Sequence, residues 1–279
     1  MISRPAGSRD GRFSRYIPAM DYREVRPPEP LDRWVKCFWF LTTDGSAGPQ
    51  PVVPDGRREI VLHRGEPFGQ LLPNGDVRSQ EEVMLSGQLT GPLGLLPSGS
   101  ADIIGIRFRT AGARDLLGLP LAELTDRVIP LGDVAASMTL ALKDAAQATD
   151  PVRALGAVLL KRTHRHSHSM SSEAVSRLAH GERIAAVARE LGVSTRTLER
   201  RVCDDTGLSP KTLQQVMRFR TLYALLQSGT ANGARAAAIA GYYDQTHANR
   251  DFRRFAGSSP SDHFAADPAL ARAILSHSS

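Results

Sequence analysis

The sequence Ile184-Ala-Ala-Val-Ala-Arg-Glu-Leu-Gly192 recurs 49 residues later as Gly233-Ala-Arg-Ala-Ala-Ala-Ile-Ala-Gly241. A short helix that ends at a glycine and is followed by a second helix is the pattern of a helix-turn-helix. A repeat of this length is one supersecondary unit used twice. The repeat continues after the glycines in four identical pairs: Arg200 and Arg250, Gly207 and Gly257, Ser209 and Ser259, Pro210 and Pro260.

In each unit, a residue that can cap a helix stands before a polar helix. Ser194 precedes a helix predicted from Thr195 to about Asp204, and Asp244 precedes one from Gln245 to Phe255. Helical spacing buries one side of each and leaves the other side polar. The polar residues expected on these outer faces are Arg196, Glu199 and Arg200 in the first unit and Gln245, Thr246, Asn249 and Arg250 in the second.

These residue types can read base edges in the major groove of DNA. Arginine donates two hydrogen bonds to guanine, glutamate accepts one from cytosine, and glutamine or asparagine pairs with adenine. Plainer alternatives stay open. Arg196 and Arg200 could face solvent or phosphate, and Glu199 could pair with its own arginines. Thr246 and Asn249 could contact phosphate, and we expect His247 to be structural or phosphate-facing.

A longer helix is predicted from Pro210 to Gln227, with proline in the first turn and a broad apolar side. Its length suits a rigid connector between the two units, which would set the distance between the two outer faces. Successive major-groove segments on one side of DNA are about 34 Å apart.

The distribution of charge agrees with a nucleic-acid partner. The chain has a net charge of +6. Residues 161–279 contain 17 Lys and Arg and 10 Asp and Glu, or +7, while residues 1–160 contain 18 and 19, or −1. The positive charge therefore belongs to the repeated units, as in a nucleic-acid-binding domain. Charge alone would equally fit a solvated basic surface.

The first half of the chain has a different residue pattern. Residues 1–18 are expected to be disordered, and residues 19–130 to form a β-rich sandwich or barrel, since short apolar runs alternate with Pro/Gly turns. Residues 131–170 are expected to be a helical segment, with helix over 135–160, followed by a His/Ser linker. The predicted strands are Trp34–Leu41, Arg58–His63, Glu82–Ser86 and Asp102–Arg109.

An enzyme or metal protein is a weaker interpretation. His164, His166 and His168 alternate in the linker and could chelate a metal, but a solvated linker is favoured because no Cys or acidic cluster adjoins them. His63 is the only histidine of residues 1–160, and Cys37 lies in an aromatic strand that favours a buried, structural thiol. We therefore expect no enzymatic activity and no cofactor. Two cysteines and no long apolar run favour a reducing cytoplasm and no membrane span.

The C-terminal third resembles the AraC/XylS-type DNA-binding domain over residues 171–265, leaving 266–279 as a tail. The motifs are Leu191-Gly-Val-Ser-Thr-Arg-Thr-Leu-Glu-Arg-Arg201, Thr206-Gly-Leu-Ser-Pro-Lys211 and Gly241-Tyr-Tyr-Asp-Gln-Thr-His-Ala-Asn-Arg-Asp-Phe-Arg-Arg-Phe-Ala-Gly-Ser-Ser-Pro260. The resemblance implies a bacterial transcription factor in which two helix-turn-helix subdomains are bridged by one long helix. The second unit departs from the pattern, because alanine replaces larger apolar residues, and its core is expected to be thin.

More loosely, the first half resembles the β-rich sensor domain of a subset of these regulators, through Pro54-Asp-Gly56 and Ile104-Gly-Ile-Arg-Phe-Arg109. The whole chain is then an α+β protein. Its expected partners are operator DNA, a small-molecule effector, RNA polymerase and a second copy of the chain. An apolar effector could bind near Trp34, Phe38, Trp39 and Phe40, unless these residues are plain core. The alternatives are an architectural DNA-binding protein without an effector, and an enzymatic domain fused to a DNA-binding module.

Overall fold

The structure, a computed structural model, describes residues 20–276 except 47, 73, 119–120 and 163–169. It is α+β, with a β-rich region followed by a helical one, as predicted. Residues 1–18, expected to be disordered, and His164, His166 and His168 lie outside the described residues. None of the helices described is long and apolar enough to cross a membrane.

Ten strands make up the described part of the β-rich region. They are β1 Met20–Val25, β2 Val35–Thr43, β3 Gln50–Val52, β4 Glu59–His63, β5 Gly69–Leu71, β6 Val77–Ser79, β7 Val83–Ser86, β8 Leu93–Leu96, β9 Ala101–Phe108 and β10 Val128–Pro130. One antiparallel sheet has the order β1-β2-β9-β4-β7-β10, and a second has the order β3-β8-β5-β6. The four strands predicted from the sequence are β2, β4, β7 and β9, the centre of the larger sheet.

The larger sheet is buried on both faces. Phe38 and Phe40 face a core built with the helices α1 Gly112–Leu117, α2 Gly132–Ala146 and α3 Pro151–Leu160. Trp39 and Leu41 face the second sheet. Side chains alternate between faces along a strand, so a strand buried on both is apolar throughout. The single helix expected over 135–160 is two helices, because Asp150 caps α3 by accepting from the Arg153 amide.

Eight helices follow in the helical region, residues 170–276. They are α4 Met170–Ala179, α5 Ile184–Glu190, α6 Thr195–Thr206, α7 Pro210–Gln227, α8 Gly233–Ile239, α9 Gln245–Ala256, α10 Pro260–Ala265 and α11 Ala269–Ser276. Helices α4 to α6 form the first unit and α8 to α10 the second. The helix α7 packs against α4, α8 and α9 and so connects the units. The helix α11 lies in the stretch expected to be a tail.

The two units resemble each other in local geometry as well as in sequence. Ser194 accepts a hydrogen bond from the Thr197 amide at 3.1 Å, and Asp244 accepts one from the His247 amide at 2.7 Å. Both bonds satisfy an amide that the helix itself leaves open. The glycines that end α6 and α9, Gly207 and Gly257, have φ of +73° and +81°. Such left-handed backbone favours glycine.

Aromatic rings fill the second unit, which corrects the expectation of a thin core. The rings of α7 share one core with the buried alanines of α8, Ala236 and Ala237. Phe219 and Tyr223 of α7 lie against Phe252 of α9, with ring centroids 5.5 and 5.9 Å away. His263 of α10 completes the cluster through a 3.0 Å hydrogen bond to the Tyr223 hydroxyl. Large rings thus replace the apolar volume that the alanines lack.

Candidate nucleic-acid interface

The helix α6 presents the polar face that the sequence predicts. Its buried side is formed by Leu198 and Val202. On the opposite side, Arg196, Glu199 and Arg200 are all exposed. In the part of the chain that the structure describes, none of these three side chains has a hydrogen bond or an ion pair. The face therefore offers unengaged donors and one acceptor at the surface.

The face of α6 continues onto the start of α7. Ser209, Pro210 and Lys211 line one groove together with Arg196 and Arg200. Lys211 adds a third positive charge to this groove, where a flexible ammonium can meet a phosphate. The sequence reasoning did not select Lys211. Its position in the sequence could have indicated a role in the interface, because it stands in the first turn of α7, one residue after the proline that follows α6.

The helix α9 presents the corresponding face in the second unit. Gln245, Thr246 and Arg250 are exposed, and Asn249 is half-buried. The Gln245 amide lies over Gly233 at the start of α8, where an added Cβ would come within 2.5 Å of its Nε2. Gln245 thus lies beside the start of α8, whereas the Arg250 side chain has no partner among the described residues. His247 lies against the Tyr242 ring, with centroids 5.2 Å apart.

Tyr243 is a second residue that the sequence reasoning missed. Its side chain is 94% exposed, which is unusual for an aromatic residue, and it stands directly before the cap residue Asp244. An exposed tyrosine at the start of such a helix can pack on deoxyribose and donate its hydroxyl to a phosphate. The pair of adjacent tyrosines was visible in the sequence, but only the fold shows that Tyr242 is buried and Tyr243 is not.

The C-terminal end of α6 is held by the β-rich region through what we call the α6 clamp: Arg58, Arg114 and Thr125. Arg58 is fully buried and donates to the carbonyl oxygens of Asp205 and Thr206. Arg114 forms a 2.6 Å ion pair with the Asp205 carboxylate. Thr125 donates to the Gly207 carbonyl at 2.7 Å. Arg58 and Thr125 thus satisfy carbonyl groups that a helix end leaves open.

The charge of Arg58 suits its position. Burial lowers the pKa of Arg58 to about 10, while the Asp205 carboxylate opposes that shift. The guanidinium therefore remains protonated at neutral pH. A cation at the C-terminal end of a helix interacts favourably with the helix dipole. The clamp thus fixes one end of the helix whose exposed face carries Arg196 and Arg200.

A cavity of about 70 Å³ lies between the two sheets. It is mainly apolar, and its walls include Trp39, Phe68 and Ile103. Of the four aromatic residues proposed for an effector site, only Trp39 lines it. Phe38, Phe40 and Trp34 pack on the helical side of the larger sheet. These three residues are core, the alternative that the sequence left open, because neighbouring residues of a strand point to opposite faces.

Two residues of the cavity wall, Trp39 and His63, each carry a buried ring nitrogen without a hydrogen-bond partner among the described residues. These nitrogen atoms are Trp39 Nε1 and His63 Nδ1. His63 Nε2 lies 3.2 Å from the Gln80 side-chain oxygen. Burial lowers the pKa of His63, so the imidazole is neutral at pH 7. Unpaired buried polar groups cost free energy, and they are unusual in protein interiors.

The remaining ionisable group on the cavity wall, Glu59, is already paired. Arg107, fully buried, donates to Glu59 at 2.5 Å and to Glu24 at 2.8 Å. Burial raises the pKa of the Glu59 carboxyl, and the Arg107 charge opposes that shift. The part of the cavity wall that the structure describes therefore presents no unpaired cation.

The two regions match two different family models. Residues 23–130 match a model described as a domain of unknown function (DUF6597). Residues 187–266 match a model described as a helix-turn-helix domain. The second match spans α6, α7 and α9, the elements that carry the polar faces. A comparison with curated proteins finds no significant match.

Several solved structures are similar. ToxT from Vibrio cholerae is 12% identical, with a TM-score of 0.44, over 81% of this chain and 98% of that one. The C-terminal domain of AraT, a response regulator from Geobacillus stearothermophilus, is 24% identical, with a TM-score of 0.33, over 36% and 86%. The transcriptional regulator CdpR from Pseudomonas aeruginosa is 21% identical, with a TM-score of 0.31, over 59% and 45%.

Proposed function

We propose that this chain, a DNA-binding transcription regulator that carries an AraC-type helix-turn-helix domain, reads two successive major-groove segments with α6 and α9. One observation carries the proposal. The same capped helix occurs twice, and each copy exposes an arginine at the same position, Arg200 and Arg250. Since α7 packs against both units, it holds the two helices at a fixed spacing.

Each exposed residue takes a role from its chemistry. Arg196, Arg200 and Arg250 can donate paired hydrogen bonds to guanine, and Glu199 can accept from cytosine. Gln245 and Asn249 suit adenine, and Thr246 suits either a base edge or a phosphate. Lys211 and Tyr243 lie beside the two faces and suit the DNA backbone, where they would position the protein without reading sequence.

The β-rich region is proposed to regulate this reading. It holds α6 through the clamp, so a change in the β-rich region can reach the first recognition helix directly. Its cavity is the proposed site of a small-molecule effector, because the walls combine apolar side chains with unpaired polar atoms. One chain holds both recognition helices, so a single copy can span two groove segments, and dimerisation would extend the operator.

Random-site selection on DNA with the full chain tests the proposal. The full chain is needed because Val53 of the β-rich region is part of the core of the helical region. We expect a motif of two short elements whose centres lie about 10 to 10.5 base pairs apart. Recovery of no sequence preference, with binding that depends only on salt, would instead identify an architectural DNA binder.

A further inference from the structure

The last described helix, α11, belongs to two cores at once. Leu270 and Ile274 are buried between the two sheets, beside Trp39 and Phe68. One residue further along the helix, Ala271 and Leu275 are buried in the core of the helical region. The helix therefore links the inside of the β-rich region to the elements that carry the recognition helices.

Hydrogen bonds fix α11 on both sides. The buried Gln50 of β3 accepts from the Leu270 amide at 3.1 Å, and so satisfies an open amide at the start of the helix. On the other side, Gln227 at the end of α7 donates to the Arg272 carbonyl at 3.3 Å. A displacement of α11 must break contacts with α7, the helix that spaces α6 and α9.

Leu270 and Ile274 also form part of the wall of the cavity between the sheets. With both side chains in place, about 70 Å³ is open. A protein cavity that binds benzene measures about 150 Å³, and a single water needs about 10 to 15 Å³. The cavity as it stands admits a few water-sized groups and excludes a ring. A larger ligand needs wall side chains to move, and Leu270 and Ile274 are the wall residues that a helix supplies.

The cavity wall defines the chemistry of such a ligand. An indole N–H is a donor only, so Trp39 Nε1 calls for an acceptor oxygen or nitrogen on the ligand. Glu59 is the one carboxylate on the described wall, and it is bound to Arg107. His63 is neutral, so an anionic ligand would find no cation there. The rest of the wall is mainly aliphatic and aromatic.

We propose that the space between the two sheets binds a neutral, mainly apolar molecule with one hydroxyl or carbonyl oxygen, and that this molecule takes the place of Leu270 and Ile274 of α11. The helix is then a built-in occupant that the ligand must displace. Its displacement loosens α7 and weakens operator binding, since the spacing of α6 and α9 is no longer fixed. This consequence for DNA rests on the proposed function.

Calorimetric titration of the full chain tests the ligand site with three probes of one shape: 4-propylphenol, 4-propyltoluene and 4-propylbenzoate. We expect 4-propylphenol to bind most tightly and the benzoate least tightly. Trp39→Phe removes the donor and should weaken 4-propylphenol about tenfold, with no effect on 4-propyltoluene. Equal binding of all three probes, or binding that is insensitive to Trp39→Phe, would overturn the ligand class.

Ile274→Ala tests the displacement, with Leu275→Ala as its matched control. Both variants shorten a buried side chain of α11, but only Ile274 lines the cavity. Ile274→Ala should bind 4-propylphenol about tenfold more tightly, because less of the helix has to leave. Leu275→Ala should leave that affinity unchanged. If neither the native chain nor Ile274→Ala binds any probe, the site does not exist.

The coupling is measured by fluorescence anisotropy with the selected operator, with and without saturating 4-propylphenol. We expect operator affinity to fall about threefold or more. An unchanged or increased affinity would overturn the coupling through α11. The two failures are separable: if selection yields no operator, the proposed DNA reading fails, while calorimetry still decides whether the ligand site exists.

Discussion

Arg200 and Arg250 stand six residues after the cap residues Ser194 and Asp244, so both project from the second turn of their helices. An exposed arginine in a protein usually meets a nearby carboxylate or lies along the surface. Arg114, for example, is exposed and is bound to the Asp205 carboxylate. Among the described residues, the arginines of α6 and α9 that we assign to bases have no such partner.

Replacing these arginines one at a time should remove one base preference each. Arg200→Ala and Arg250→Ala are each expected to cost about 1–3 kcal/mol in binding the selected operator and to relax specificity at one position of their own half. Anisotropy titrations against single-base operator variants measure this. Arg153→Ala, exposed on α3, is the control. A loss that is uniform over all sequences, with a shallower salt dependence, would assign the arginine to phosphate instead.

His263 should make the stability of the second unit depend on pH. Burial, and then the nearby Arg272, lower the pKa of His263 below its usual value of about 6.5. The unfolded chain therefore takes up a proton at a higher pH than the folded chain does. The stabilisation from neutral His263 is complete above pH of about 6.5 and is lost as the pH falls through the folded pKa.

Thermal unfolding followed by circular dichroism checks this prediction. The melting temperature should fall between pH 7 and pH 5, and His263→Gln should show a smaller fall. Some pH dependence will remain in the variant, because burial also lowers the pKa of His63 and so contributes a fall of the same sign. Identical slopes for the two proteins would mean that protonation of His263 does not oppose folding.

At the scale of elements, the helices of the repeated units were predictable because their ends are chemically marked. Ser194, Ser209 and Asp244 each accept from an amide in the first turn of the helix that follows. The helix α7 has the bounds that proline and the apolar pattern predict, Pro210–Gln227. The strands β2, β4, β7 and β9 were also found, because burial on both faces makes them continuously apolar.

Other elements depend on contacts that the sequence does not display. The strand β6 consists of three exposed residues, so it carries no apolar pattern and exists through pairing with β5. The helix α11 is short and has two apolar faces. They can be explained only when the two cores that they enter are known. Likewise, Arg58 was invisible as a site residue, because its partners are carbonyl groups 147 and 148 residues away.

Removing the cap residues of α6 and α9 should lower the free energy of unfolding by measurable and similar amounts. Ser194→Ala and Asp244→Ala are each expected to lower the free energy of unfolding by about 1 kcal/mol, since each leaves one amide without its acceptor. Urea denaturation measures this. Ser172→Ala, exposed on α4, should change stability by less than about 0.5 kcal/mol. A cap variant that behaves like this control would show that solvent replaces the cap at no cost.

For the whole molecule, the two regions are joined at both ends of the helical region. The α6 clamp holds the first unit, and α11 follows the second unit and enters the β-rich region. Between them, Gly56 lies against Met217 of α7, where an added Cβ would collide with the Met217 methyl group. Both α6 and α9 are thus positioned relative to the β-rich region as well as to each other. A displacement in that region would therefore reach the two exposed faces that we propose read DNA.

Arg58→Met should loosen α6 without touching the exposed face that carries Arg196 and Arg200. Methionine keeps much of the buried volume of arginine but cannot donate to the Asp205 and Thr206 carbonyl groups. We expect a loss of about 2–3 kcal/mol in the free energy of unfolding, since buried acceptors lose a charged donor. Hydrogen exchange should speed up in α6 more than in α9, and operator affinity should fall.

In Arg78→Met, at an exposed position of β6, none of these quantities should change. If Arg58→Met lost stability while exchange rose equally in α6 and α9, the clamp would stabilise the fold as a whole and would not position α6.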